Sequence, residues 1–298
     1  MVYTLGESLM DIIFKDGRPV ASRAGGSVLN SAVSLGRCQV PVSLVSELGA
    51  DRPGDIILDF LHKNRVKTDF VYRYREGKTP VALAFLNRHN DASYSLYKPY
   101  PEKRLQIPLP EFNPGDMLLF GSFYSLTSEV RDKILGMVRQ ARKNGAYVIY
   151  DPNIRSPHRN QMETWENRVK TNVSMAHLVR ASDEDFMTIY GDPDPENAWR
   201  ICRDAGAEAL IFTQNKNGVH LFEKGSARYF EVPLITPVST IGAGDSFNAG
   251  VVFSLIHQRG EKNLEKAVRS GISFSSNVCM RYDNYISPEF AKSVLSTL

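Results

Sequence analysis

Nowhere does this 298-residue chain gather the roughly 20 consecutive apolar residues needed to cross a bilayer, which excludes a membrane-spanning helix. Its start, Met1-Val2-Tyr3-Thr4-Leu5-Gly6-Glu7, lacks the basic end and apolar run of an export signal, so the expected location is the cytoplasm. Cysteine is scarce: Cys38, Cys202 and Cys279 are odd in number and far apart, and suggest neither a disulfide framework nor a zinc site. The six histidines show no metal-ligand spacing and no His-Glu-x-x-His. An excess of charge of one sign is nearly absent too, with 36 Lys and Arg against 33 Asp and Glu. A net +3 argues for neither nucleic acid nor a membrane surface as partner, and is compatible with an anionic substrate. There is no Gly-x-x-x-x-Gly-Lys-Ser/Thr loop, no internal repeat, no low-complexity tract and no interdomain linker.

What is present reads as an ordinary folded α/β protein, with 42% hydrophobic and 23% charged residues. Short β-rich runs at 2–6, 42–48, 117–121, 147–151, 177–180 and 209–213 alternate with helical patterns at 27–38, 54–64, 161–176 and 194–205. A further helix lies between the third and fourth runs, with Val130, Ile134, Met137, Val138 and Ala141 on one face and a stop at Asn144-Gly145. Such alternation predicts a mostly parallel sheet flanked by helices. Beyond residue 244 the chain reads as almost wholly helical, and Ser287-Pro288-Glu289 starts the last helix.

Two segments break this rhythm. Residues 11–22 read as a hairpin around Lys15-Asp16-Gly17, and 79–98 read as a second around 87–91. With no crossover helix after either, they suit a small separate sheet over the carboxyl ends of the main strands, where ligands bind in such folds.

The most informative stretch is Gly242-Ala243-Gly244-Asp245. Two glycines let the backbone turn tightly, and the apolar run from Val251 to Ile256 marks a buried helix directly after them. Unpaired N–H groups and the helix dipole favour an anion at such a terminus. A carboxylate there would compete with a bound phosphate unless it takes the proton of a hydroxyl that attacks it. The alternative is a helix cap on a glycine turn. The run is not a dinucleotide fingerprint, because Phe247 stands where the third glycine would be.

Three further segments join it. Gly6-Glu7-Ser8-Leu9-Met10-Asp11 ends a strand on a carboxylate suited to sugar hydroxyls, or on a turn-forming Asp. In Ala24-Gly25-Gly26-Ser27-Val28-Leu29-Asn30, bare backbone at Gly25 and Gly26 precedes a helix, and Asn30 faces either a ligand or solvent. Asp151-Pro152-Asn153-Ile154-Arg155 follows a strand; the planar fork of Arg155 suits phosphate or carboxylate, or simply water. In this order the four segments resemble the ribokinase-like (PfkB-type) carbohydrate kinases, closest to the fructokinase branch, over nearly the whole chain.

The resemblance implies one ribokinase-like α/β kinase domain over residues 1–298, with a small β-sheet lid formed by about 11–22 and 79–98. It implies that ATP phosphorylates a sugar, D-fructose to D-fructose 6-phosphate as the leading case. Asp245 would be the general base; Gly242, Ala243 and Gly244 the anion hole; Arg155 a further catalytic group. Asp11, Gly25, Gly26, Asn30, Lys98 and Asn153 would bind the sugar, Lys98 alternatively being an exposed strand-end lysine. Thr213, Asn215 and Gly218 resemble the family's Thr-x-Gly-x-x-Gly nucleotide loop, with Asn215 in place of the middle glycine, and Asn277 would join them by position. The family's Asn-x-x-Glu appears here as Ser182-Asp183-Glu184-Asp185, which leaves Asp185 to order magnesium through water; acids also start helices merely as dipole partners. Ser239 departs from the family's usual Asp, so a monovalent cation is not carried over. Alternatives are a 2-keto-3-deoxygluconate kinase, a ribokinase, and a sugar-binding sensor without turnover. Partners would be the sugar and ATP, with a homodimer formed through the lid.

Overall fold

The computed structural model describes residues 1–86, 92–154, 162–258, 260 and 262–296, and the side chains of all of these but 92 and 162–164. The chain opens with β1 (Val2–Leu5), the hairpin β2 (Leu9–Lys15) and β3 (Arg18–Gly25), then α1 (Ser27–Arg37), β4 (Val42–Gly49), α2 (Arg52–Lys63) and β5 (Val66–Tyr74). A second hairpin follows, β6 (Val81–Leu86) and β7 (Ala92–Tyr97), and then β8 (Met117–Gly121), α3 (Ser128–Lys143), β9 (Tyr147–Asp151), α4 (Met162–Ser174), β10 (Leu178–Ser182), α5 (Asp183–Tyr190) and α6 (Pro195–Asp204). The last third holds β11 (Ala209–Thr213), β12 (Val219–Glu223), β13 (Ser226–Phe230), α7 (Ala243–Ile256), α8 (Leu264–Cys279) and α9 (Pro288–Leu295).

Nine strands form one sheet in the order β13-β12-β11-β10-β9-β8-β1-β4-β5, parallel except where β12 meets β11 and β13. The inner strands β1, β4, β8 and β11 are buried along their whole length, as expected of parallel strands covered on both faces. One apolar layer packs α1, α2, α7, α8 and α9 against the sheet; the other packs α3, α4, α5 and α6. The face of α3 read from the sequence is buried, and Gly145 takes the left-handed conformation (φ +80°) just past its end. The edge strands β5 and β13 were not anticipated. Each pairs on one side only, so each tolerates the polar residues that read as loop.

The two hairpins do not stand apart from each other. They join into a four-stranded sheet, β3-β2-β6-β7, through parallel pairing of β2 with β6. The turn at Asp16 and Gly17 has φ of 51° and 74°, both left-handed, as a two-residue hairpin turn requires. Entry to β6 is held by Asp51. Its carboxylate caps α2 through Gly54 N–H at 3.0 Å and also takes Thr79 N–H at 2.9 Å and Thr79 Oγ1 at 2.6 Å.

From β1 the chain first winds outward to β4 and β5, and later returns to β8 and beyond on the other side. The carboxyl ends of β1 and β8 therefore flank a topological switch point, where folds of this kind open a ligand crevice. Among the described residues no helix is long and apolar enough to cross a membrane.

Candidate active site

The helix α7 starts at this crevice, and its start is built on glycine of necessity. Gly242 caps it in the left-handed conformation (φ +78°), and a Cβ there would lie 2.3 Å from the Asn284 carbonyl oxygen. Ten of the residues of α7 are buried, so its dipole points out of the apolar layer toward the crevice. Ala243 N–H donates to Thr240 O at 3.2 Å, whereas the N–H groups of Gly244 and Asp245 meet no protein acceptor among the described residues. These two remain available for an anion.

Asp245, 4% exposed, sits on the first turn of α7 and gathers donors from two distant segments, α1 and the turn after β9. Its Oδ1 accepts from Ser27 Oγ at 2.7 Å and from Asn153 Nδ2 at 3.3 Å, and its Oδ2 accepts from Asn30 Nδ2 at 2.8 Å. Ser31 Oγ donates to its backbone carbonyl at 2.8 Å. All of these donors are neutral. Among the described residues the carboxylate is thus oriented by neutral groups alone, without an ion pair. Asn30 and Asn153, singled out as sugar ligands, both reach this carboxylate; Ser27, the first residue of α1, was not singled out.

On the neighbouring strand end, Asp151 is buried and accepts from Asn153 N–H at 3.0 Å, from Asn248 Nδ2 and from Arg180 Nη1 at 3.2 Å. Burial pushes its carboxyl up to about 6 against the opposing pull of Arg180. Asn153 holds the left-handed conformation (φ +41°) that aims its amide at Asp245. Arg155, next along the turn, lies outside the described residues. Asp185, 3% exposed, closes a capping box with Ser182 and accepts from Ile154 N–H at 2.7 Å, so it also fastens the turn that carries Asn153.

The smaller sheet meets the crevice at β2 and β3. A Cβ on Gly25 would stand 2.1 Å from Asp11 Oδ2, and one on Gly26 (φ +123°) would stand 2.2 Å from the Glu7 carbonyl oxygen. The di-glycine is what lets α1 begin beside both. Lys98, at the end of β7, gives its ammonium to Glu7 Oε2 at 2.8 Å and lies 5.4 Å from the Phe123 ring centroid. Tyr100 donates to the other oxygen of Glu7 at 2.5 Å. Behind them Arg104 stacks 3.3 Å from the Tyr100 ring centroid and is paired with the buried Glu47, which also takes Tyr124 OH at 2.9 Å. Glu7 was quoted in the sequence only as part of a motif; its partners come from about 90 residues away, beyond the reach of local pattern.

On the other side, Thr213 ends β11 with its hydroxyl accepting from Arg180 Nη2 at 2.9 Å. Asn215 is exposed and left-handed (φ +54°), doing the turn work of the glycine it replaces. Gly218 (φ +94°) is buried; a Cβ there would lie 2.5 Å from the Tyr229 ring. Asn277 faces the last helix, its Oδ1 accepting from Ser287 N–H at 3.1 Å. Ser239 Oγ accepts from Ile241 N–H at 3.2 Å, shaping the approach to Gly242.

Among the described residues no three His, Cys, Asp or Glu side chains are grouped to hold a metal ion. Asp185 already accepts three hydrogen bonds, so it has room for a water but not for direct chelation, and magnesium commonly keeps waters and takes most other ligands from phosphates.

A family model described as pfkB family carbohydrate kinase matches residues 1–289. A fructokinase of Rhizobium leguminosarum bv. trifolii is 27% identical over 288 residues, covering 91% of this chain and 86% of that one. Among solved structures, the fructokinase of Vibrio cholerae O395 in its fructose, ADP and calcium ion bound form superposes with a TM-score of 0.86 at 19% identity, over 99% of this chain and 98% of that one. The aminoimidazole riboside kinase of Salmonella enterica, complexed with aminoimidazole riboside and an ATP analog, superposes with a TM-score of 0.85 at 20% identity, over 99% of both chains. The fold is the one these kinases share.

Proposed function

Because the chain belongs to the pfkB family of carbohydrate kinases, we propose that it moves the γ-phosphate of ATP onto a neutral sugar, D-fructose to D-fructose 6-phosphate being the leading case. The observation that carries this reading is the setting of Asp245, held by three neutral donors on the first turn of a helix with unpaired N–H groups.

In this reading Asp245 accepts the proton of the sugar's primary hydroxyl as its oxygen forms the new bond to phosphorus and the bond to ADP breaks. The N–H groups of Gly244 and Asp245, on the turn that Gly242 opens and Ala243 closes onto Thr240, meet the charge that develops on the transferring group, and Arg155 adds its cation. Ser27, Asn30 and Asn153 keep the Asp245 carboxylate aimed. Asp185 would hold magnesium through a water, and the ion would supply neutralisation of phosphate charge. Thr213, Asn215, Gly218 and Asn277 belong to the nucleotide side. Asp11, Gly25 and Gly26 belong to the sugar side, with the smaller sheet acting as a lid that keeps water from competing as acceptor. The lid also offers a homodimer surface, and the cytoplasm is the proposed location.

Lys98 favours a neutral sugar over 2-keto-3-deoxygluconate. A substrate carboxylate needs a free cation, and this ammonium already serves Glu7. A riboside is the second reading, favoured by the likeness to the Salmonella riboside kinase, and ribose stands beside it. A sensor without turnover has no use for a base beside an anion hole. A coupled ADP-release screen over fructose, ribose, aminoimidazole riboside, ketodeoxygluconate, fructose 6-phosphate and adenosine tests all of this. Turnover of none would favour the sensor, and a preference for ketodeoxygluconate would overturn the neutral-sugar reading.

A further inference from the structure

Of the buried polar side-chain atoms without a protein partner among the described residues, four lie around the start of α7: Asn30 Oδ1, Arg180 Nε, Ser246 Oγ and Asn248 Oδ1. Buried polar atoms are normally satisfied, so such a cluster marks a place where a ligand's atoms complete the bonding. Arg180 is the only cation of the four and has no role in the reading above.

Its position is specific. Arg180 lies on β10, between the end of β9, which carries Asp151 and the Asn153 turn, and the end of β11, which carries Thr213. The guanidinium lies directly against the glycine turn: a Cβ on Gly244 would meet Nη1 at 3.0 Å and Nη2 at 3.2 Å. The Phe247 ring lies 5.5 Å away. The side chain is therefore fixed where the acceptor side and the nucleotide side meet, next to the N–H groups of Gly244 and Asp245.

A residue serving only to neutralise Asp151 would be expected to grip it with both arms of its fork. Here a single contact of 3.2 Å joins them, Nη2 is turned to a neutral hydroxyl, and Nε has no acceptor among the described residues. Arginine's planar fork suits phosphate, and its charge adds to that of the helix dipole at the same point.

We infer that Arg180 is a phosphate-binding residue of the donor site, contacting the β-phosphate of the bound nucleotide, the terminal one of ADP, beside the glycine turn. This rests on the reading of ATP as donor.

The test is calorimetric, with Mg-ADP and AMP as probes. Arg180→Met alone leaves Asp151 buried without its cation and is open to misfolding, so Asp151→Asn/Arg180→Met, which removes both charges, is the informative variant. The expected result is a thermal midpoint near that of wild type, an ADP Kd raised at least about tenfold, and an AMP Kd within about threefold of wild type. ADP binding within about threefold of wild type would reduce Arg180 to a counter-ion of Asp151 and overturn the inference, as would equal losses for ADP and AMP. Arg180→Lys, which keeps a cation beside Asp151 but loses the fork, decides the matter without that variant. An unchanged melting point with weaker ADP binding supports the inference, and unchanged ADP binding overturns it. If the wild-type protein binds neither ADP nor ATP, it is the donor reading that fails.

Discussion

Asn30 donates from Nδ2 to Asp245 Oδ2 at 2.8 Å, while its own Oδ1 is buried and accepts from no described residue. One end of the amide aims the proposed base and the other is left for a donor such as a sugar hydroxyl. Asn30→Leu keeps the size and loses both bonds. It should lower kcat/KM for the sugar by roughly 10- to 100-fold, the scale of hydrogen bonds that involve a charged group. Steady-state kinetics check this, and an unchanged kcat/KM would mean that Asn30 only packs.

Asp245→Asn should nearly abolish turnover while sugar and nucleotide binding persist, since positioned general bases contribute roughly 10²–10⁴ in rate. A variant that keeps more than about a tenth of wild-type kcat would remove Asp245 from the base role.

Gly25→Ala should imitate Asp11→Ala. The added methyl would fall 2.1 Å from Asp11 Oδ2, so the carboxylate must leave its place. Both variants should weaken sugar binding by roughly 1.5–3 kcal/mol and barely change ATP affinity. Calorimetry that finds equal losses for the two ligands would assign Asp11 and Gly25 to support of the fold.

Lys98→Met should raise the KM for fructose less than about tenfold, because Tyr100 still holds Glu7 and a neutral sugar makes no ion pair. Were the substrate an acid, the loss would resemble that of one partner of a buried charge pair, roughly 2–5 kcal/mol. A wild-type preference for ketodeoxygluconate together with a collapse in Lys98→Met would identify the acid kinase.

Asp151 should titrate near 6, because burial outweighs the pull of Arg180. Between about 4, the ordinary unfolded value, and about 6, the folded protein then holds a proton that the unfolded chain has released. This contribution to stability is complete below the unfolded value and is lost as pH rises through about 6. Melting curves of wild type minus Asp151→Asn should show a difference that declines across this window. A difference that grows instead would mean that Arg180 holds the carboxyl below its usual range.

Much of the fold is legible because parallel strands buried on both faces must be apolar throughout, as at β8 and β11. The edges β5 and β13 escape that rule, being half covered. The glycine turn before α7 is legible because only glycine tolerates the Asn284 carbonyl at its flank. Asn30, Asn153 and Asp245 each stand out singly in the sequence, but their convergence does not, since Ser27 and Asn30 lie more than 200 positions from the carboxylate they hold. In the sequence Arg180 stands only as the last position of the β-rich run 177–180. Its meaning arises only where three strand ends and a helix start come together.

The joining of the two hairpins also sets a timetable for the chain as it is made. β2 cannot pair with β6 until about 70 further residues have emerged, a wait of roughly 4–14 s at ribosomal rates. Until then the first hairpin has an open strand edge, the kind of edge that pairs with whatever strand is nearby. The central strand β1 waits longer still for β8, its partner from residue 117. A nascent chain halted before residue 81 therefore leaves bare at once two edges that the finished fold covers, those of β2 and β1, and slowed translation over 16–80 would expose them to aggregation for longer than slowed translation anywhere after 121.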